Sequence, residues 1–330
     1  MNKPLECIIL SKILDKLPLC IENCSAIETP SYVDGSVPKG CLIAHLTLTL
    51  IEMQHISSYF RIPLYNLFAH YNMQSTKNCF NMNVDYCWEI MLASSLLHDL
   101  GKLVDQYAAR QVAGQSRILH HQVSAVIAKK TLENIVNESI ALRVSYGILF
   151  HHEAIDWAAV EKSLLHFSYI QKALLPTQNI IYSLSESRLN KFKQNICNIL
   201  NQLLDKHLLI KSQHQALILV LNCAIQKLMD NQKGPINLAR ELSVAKIKDP
   251  RYLTPALALY RLLYLADNRA ASAREQYWLE LIQEVDWKHI EDIAWQIISK
   301  LARRYRYIGL SSIPVNKNVS CMDEQFKPCL

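Results

Sequence analysis

A chain of 330 residues, half of them hydrophobic, can bury a substantial core in one large domain or two smaller ones. Seven glycines and eleven prolines exclude a collagen-like or largely repetitive chain, and favour helices over a sheet rich in tight turns. The formal net charge of +6 suits a polyanionic partner such as nucleic acid without requiring one.

Residues 1–27 read as a short helical segment, and Pro30, Gly35, Pro38 and Gly40 then mark a loop. The start MNKPLECIILSKIL lacks the long apolar core and small-residue cleavage site of a signal peptide. CLIAHLTLTLIEMQHISSYF has apolar residues at near-helical spacing and predicts a helix carrying His45. Pro63 interrupts that pattern, and residues 71–84 are polar and read as a loop. VDYCWEIMLASSLLHDLGK predicts a helix ending near Gly101, since a glycine just past an apolar run is a common stop.

HHQVSAVIAKKTLENIV predicts another helix, and ESIALRVSYGILFHHEAIDW a further one with His151 and His152 near its end. Residues 158–250 hold several amphipathic helices and no motif. TPALALYRLLYLADNRAASAREQYWLELI follows, with Pro255 near its start, where proline suits a first helical turn. The last predicted helix covers roughly 287–307, and the tail after Ser311 is polar. With no internal repeat and no convincing alternating strands, the expected class is all-α. The most apolar stretch, Ala216 to Ile225, is too short to span a bilayer. Ten cysteines without a C-x-x-C pair give no zinc ribbon, and a cytoplasmic protein with mostly reduced thiols is expected.

Of the twelve histidines, His55, His70, His166, His207, His214 and His289 stand alone and read as surface or satisfied core residues. His45 lies within the apolar helix already described, and the other five fall in company. His98 precedes Asp99 in LLHDLGK, His120 adjoins His121, His151 adjoins His152, and Asp267 lies in LADNRAAS. MLASSLLHD is an apolar helix face that abruptly presents an imidazole and a carboxylate. Burying such a charge without a partner costs several kcal/mol, and a metal ion is the natural partner of both groups. Imidazole, carboxylate and water together suit manganese, iron, cobalt, nickel, magnesium or zinc. Neighbouring residues on a helix point about 100° apart, so His98 and Asp99 reach one ion from different sides or divide between two. A carboxylate shared by two ions supports in-line displacement at phosphorus.

The ordered set H…HD…H…HH…D, here His45, His98-Asp99, His120, His151-His152 and Asp267, resembles the signature of the HD superfamily of metal-dependent phosphohydrolases. The contexts HDLGK, HHQVSA, FHHEA and ADNRAAS carry the resemblance over roughly residues 40–275. Within the superfamily the chain looks most like the stand-alone CRISPR-associated HD nuclease of type I interference. The spacing from His120 to Ser124-Ala125 and from Asp267 to Ser272 is similar to that nuclease, and many one-metal nucleotide phosphohydrolases lack the double histidine. Cyclic-dinucleotide phosphodiesterases of the superfamily usually carry a GYP-type signature after the HD helix, and none follows here.

The resemblance implies an HD-domain helical bundle over 41–310, preceded by an N-terminal helical segment and loop over 1–40 and followed by a polar tail over 311–330. The long gap between His152 and Asp267 implies an additional helical insertion at about 160–250. One or two divalent metal ions are implied. His45, His98, Asp99 and Asp267 would hold one, and Asp99 would bridge to a second held by His120, His151 and His152. His70 is a rival to His45, and His121 to His120; helical context and the spacing to Ser124-Ala125 favour His45 and His120. Lys102 of HDLGK would either stabilise charge on a phosphate or cap the helix C-terminus.

The implied activity is hydrolysis of phosphodiester bonds in single-stranded DNA, with RNA equally compatible, and with Asp99 and Lys102 in catalytic roles. The implied partners are a separate helicase subunit and an RNA-guided surveillance complex. A nucleotide or cyclic-dinucleotide phosphohydrolase and a non-catalytic subunit of an effector complex are the alternatives. Lys300, Arg303, Arg304 and Arg306 with Tyr305 and Tyr307 suit backbone contact and base stacking, or form a solvated helix end.

Overall fold

The apolar-periodic runs are helices in the computed structural model, which describes residues 5–14, 29–34, 37–72, 83–108, 120–151, 179–232 and 234–272. Among these residues lie ten α-helices, two 3-10 turns and two short antiparallel ribbons, so the fold is all-α. His152, the predicted helix over 287–307 with its Lys300–Tyr307 basic cluster, and the polar tail lie outside the described residues.

Helix α1 (Leu5–Ile13) precedes a ribbon of β1 (Tyr32–Asp34) and β2 (Val37–Lys39). The chain then enters α2 (Leu42–Asn72) through Gly40, whose φ of +68° is left-handed. A Cβ there would meet Ser31 Oγ at 2.0 Å and Glu6 Oε2 at 2.8 Å, so only glycine fits. The buried Glu6 carboxylate accepts from the Cys41 backbone N–H at 2.8 Å and from the Ser31 hydroxyl at 3.1 Å. It thereby satisfies a donor at the N-terminal end of α2, where negative charge is favoured, one turn before His45.

Proline 63 does not end α2, contrary to the expected interruption. Phe60, Leu64, Leu67 and Phe68 around it are all buried. Each contributes about 1.5–3 kcal/mol of burial, which outweighs the roughly 3 kcal/mol cost of proline within a helix.

Helix α3 (Val84–Leu97) begins where the Asn83 side chain accepts from Tyr86 N at 2.7 Å, and every residue from Tyr86 to Leu97 is buried. A helix buried on all sides is a central helix. It packs against α2, and its end turns through His98 and Asp99 into a 3-10 turn, Leu100–Leu103. At that turn a Cβ on Gly101 would meet the His120 backbone oxygen at 2.1 Å. Gly101 N donates to Ser124 Oγ at 2.8 Å, so the HDLGK turn and the HHQVSA helix are pinned together.

After the short α4 (Asp105–Ala108), α5 (His120–Ile135) and α6 (Glu138–Phe150) form a closely packed pair, with Asn137 capping α6 through Ile140 N at 2.9 Å. Within the stretch expected to hold amphipathic helices lie α7 (Glu186–Asp205) and α8 (Lys211–Asn231). α7 buries Leu189, Phe192, Ile196, Ile199, Leu200 and Leu203 on one face, and α8 packs onto α3 and α5. A ribbon of β3 (Asn179–Ile180) with β4 (Ile236–Asn237), a one-turn α9 (Leu238–Glu241) and a 3-10 turn, Val244–Lys248, lead into α10 (Pro250–Ser272). α10 packs against both α2 and α6. No described helix is long and apolar enough to cross a membrane. Among the described residues Cys7, Cys41, Cys87 and Cys197 are outside any disulfide and Cys223 is disulfide-bonded, an exception within an expectation of mostly reduced thiols.

Candidate metal centre

Helix ends converge on one point. His45 lies in the first turn of α2, His98 and Asp99 follow the last residue of α3, His120 opens α5, His151 ends α6, and Asp267 lies near the end of α10. An apolar helix can carry a polar group at its end without exposing its core face, which is why the ligand-type residues sit at these apolar-to-polar transitions. All six are buried apart from a small opening on the side of Asp267 and His120, whose side chains are 13% and 11% exposed.

Two groups of ligand-type atoms share Asp99. His45, His98, Asp99 and Asp267 form one, and Asp99, His120 and His151 the other; either could hold a metal ion. In the first group His45 Nε2 is 2.9 Å from Asp267 Oδ1 and 3.4 Å from Asp99 Oδ2, and His98 Nε2 is 3.5 Å from each of these oxygens. In the second, Asp99 Oδ1 is 3.1 Å from His120 Nε2 and 3.5 Å from His151 Nε2. The carboxylate of Asp99 therefore divides its two oxygens between the groups.

The donor set fits a cation on a specific ground. His98 Nδ1 is 2.8 Å from the Ser95 carbonyl oxygen, which can only accept, so Nδ1 carries the hydrogen. Burial lowers the His98 pKa against the opposing pull of Asp99 and Asp267, which keeps the ring neutral. Its Nε2 lone pair then faces two carboxylate oxygens. Nε2 of His98 and Nε2 of His45 are buried and make no aligned hydrogen bond among the described residues. His151 is held in the same way, with Nδ1 2.5 Å from the Ile148 carbonyl. A second partner that fixes the tautomer and turns the other nitrogen inward is the usual support of a metal-binding imidazole.

The electrostatics are mixed. Burial pushes the Asp99 carboxyl up, but the Lys102 ammonium and the surrounding imidazoles reverse this and hold it well below the usual range. Burial also opposes Asp267, and His45 and His98 overcome it, leaving that carboxyl well below the usual range too. For His45, burial disfavours the imidazolium, yet Asp267 and Asp99 outweigh it and the pKa rises. For His120, burial and then the Lys102 charge push the pKa down to about 3.

Of the sequence-predicted residues, His45, His98, Asp99, His120, His151 and Asp267 meet at this centre. His70 is in the last turn of α2, roughly 37 Å further along the helix than His45 at 1.5 Å per residue, and takes no part. His121 stands beside the centre, its ring 5.8 Å from that of His120 and 6.3 Å from that of His151. Lys102 places its ammonium 2.5 Å from Asp99 Oδ2, a partner that neither sequence reading of this lysine named.

Two further residues had no sequence signal. Tyr107, on α4, packs its ring 5.2 Å from the His120 ring and lies 5.9 Å from the Lys102 ammonium. Arg269 donates to Glu52 at 2.6 Å and ties α10 to α2 beside Asp267. Comparison of the chain with protein-family models, with curated proteins and with solved structures returns no match.

Proposed function

We propose that this chain is a metal-dependent phosphodiesterase acting on single-stranded nucleic acid, with DNA as the first substrate to test. The observation that carries the reading is the division of Asp99, with Oδ2 toward His45 and His98 and Oδ1 toward His120 and His151. Shared carboxylates of this kind support two-ion hydrolysis of phosphate esters. His45, His98, Asp99 and Asp267 would hold one divalent ion, and Asp99, His120 and His151 a second. Bound ions there supply Lewis acidity toward a phosphoryl oxygen and lower the pKa of a water.

The remaining work falls to the chain itself. The Ser95 and Ile148 carbonyls hold His98 and His151 in the tautomer that turns Nε2 inward. Burial excludes bulk water and strengthens every charge interaction at the centre. Lys102 supplies a cation within reach of a phosphate bound there.

The resemblance of the motif set to the CRISPR-associated HD nuclease supports the narrower reading. On that reading the activity would belong to type I interference, in the cytoplasm, beside a separate helicase and an RNA-guided complex. Labelled single-stranded DNA and RNA, incubated with the purified chain and Mn²⁺, Co²⁺, Ni²⁺ or Mg²⁺, test it. Metal-dependent cleavage lost in Asp99→Ala is the expected result. Cleavage of dNTPs or cyclic dinucleotides instead would move the substrate class, and no hydrolysis with any ion would refute the enzyme.

A further inference from the structure

We propose that Lys102 is a resident cation of this centre, occupying the share of Asp99 that a divalent ion at His45, His98 and Asp267 requires, and leaving it when that ion binds. The inference rests on the metal-centre reading and adds a displacement step to it. The ammonium lies 2.5 Å from Asp99 Oδ2, the oxygen that also faces His45 and His98 at 3.4 and 3.5 Å. A divalent ion ligated by that oxygen would sit about 2.0–2.2 Å from it. An ammonium and a divalent cation on one oxygen in a buried site repel strongly, because the local dielectric is low.

The half built on His45, His98 and Asp267 therefore loads against Lys102 and binds its ion more weakly than it would without that ammonium. The Lys102 charge also reaches His120, but its hydrogen bond is to Oδ2, so the ion that takes this oxygen is the one that displaces it.

The displaced lysine has somewhere to go. Its four-carbon stem is flexible, and the Tyr107 ring already lies 5.9 Å from the ammonium, within the range of a cation–π contact. A phosphate at the centre offers a better seat. Any phosphate ester that draws Lys102 off Asp99 then tightens the ion at His45, His98 and Asp267, and by linkage that ion tightens the ester by the same factor. Lys102 thus couples completion of the metal centre to the arrival of a phosphate-bearing substrate.

The test is a Mn²⁺ titration of the full chain after chelator treatment, followed by electron paramagnetic resonance of free Mn²⁺. Wild type should show two classes of site. Lys102→Met should tighten the weaker class by roughly tenfold, and Lys102→Arg, which keeps a cation, should restore two separated classes. A folded Lys102→Met protein whose weaker class is unchanged or weakened overturns the inference.

A second measurement uses wild type alone and does not depend on a variant folding. Amine acetylation read by mass spectrometry should modify Lys102 at least several-fold faster with Mn²⁺ than without. Equal rates, with Mn²⁺ bound, overturn the inference but leave the metal centre standing. A wild-type chain that binds no Mn²⁺ overturns both.

Discussion

The Arg269 guanidinium meets the Glu52 carboxylate at 2.6 Å, joining α10 to α2 beside the metal centre. Glu52 is two helical turns beyond His45, hence on the same face of α2, and Arg269 is two residues beyond Asp267. The ion pair therefore sets the spacing between the helices that bring His45 and Asp267 to 2.9 Å. Both side chains are largely buried, and removing one member of a buried pair costs about 3 kcal/mol. Glu52→Ala should lower the melting temperature and weaken the metal site that uses His45 and Asp267. Unchanged melting and unchanged metal affinity would show that the pair sets nothing.

Asp99 and Asp267 should differ in what their loss removes. Among the described residues Asp99 faces both groups of ligands, whereas Asp267 faces His45 and His98 alone. Asp99→Asn should abolish binding at both sites, and Asp267→Asn at one. Metal analysis after reconstitution and desalting distinguishes the two. Equal stoichiometry in the two variants would rule out the shared-carboxylate arrangement.

Gly101 gives a third prediction, and it is a steric one. Its φ is not in the left-handed region, yet a Cβ would fall 2.1 Å from the backbone oxygen of His120. Gly101→Ala must push α5 away from the HDLGK turn, straining a packed contact at a cost of about 1–3 kcal/mol. It should also draw His120 off Asp99. Gly234→Ala, where no atom of the described residues lies within 4 Å of the added carbon, is the matched control and should be nearly silent. Chemical denaturation of the two variants measures the contrast.

That glycine shows how far the sequence could be read. In the sequence Gly101 is a helix stop, an inference about one segment. Its contact with His120 depends on two segments and has no local signature. The same holds for Glu52 and Arg269, which are 217 positions apart, and for Lys102, whose partner Asp99 is close in sequence but whose two sequence readings looked to phosphate and helix end. The helices were legible because apolar periodicity is a local record of burial. His98, Asp99, His151 and Asp267 were legible because a charge or imidazole at the end of an apolar helix is costly unless something pairs with it. Helix α2 ran past Pro63 because buried neighbours on both sides outweighed one lost hydrogen bond, a balance that a breaker rule does not weigh.

The titrating groups of the centre predict opposite pH trends on either side of about pH 6.5. Asp99 and Asp267 have depressed pKa values, so their contribution is present above the ordinary carboxylate range and is lost as pH falls through the depressed values. His98 is depressed and His120 lies at about 3. Below about pH 6.5 the unfolded chain therefore takes up protons that the folded chain refuses, and stability falls with pH. His45 is raised instead. Its contribution is complete below about pH 6.5 and is lost as pH climbs through its raised value. For one group this slope reaches about 1.4 kcal/mol per pH unit. The metal-free chain should thus lose stability above neutrality relative to His45→Gln. Added metal must displace the His45 proton, so its stabilising effect should grow over the same window. Melting curves of both proteins with chelator and with Mn²⁺, from pH 5.5 to 8.5, read this directly. A metal-induced shift that does not increase with pH would mean that His45 carries no proton for the ion to displace.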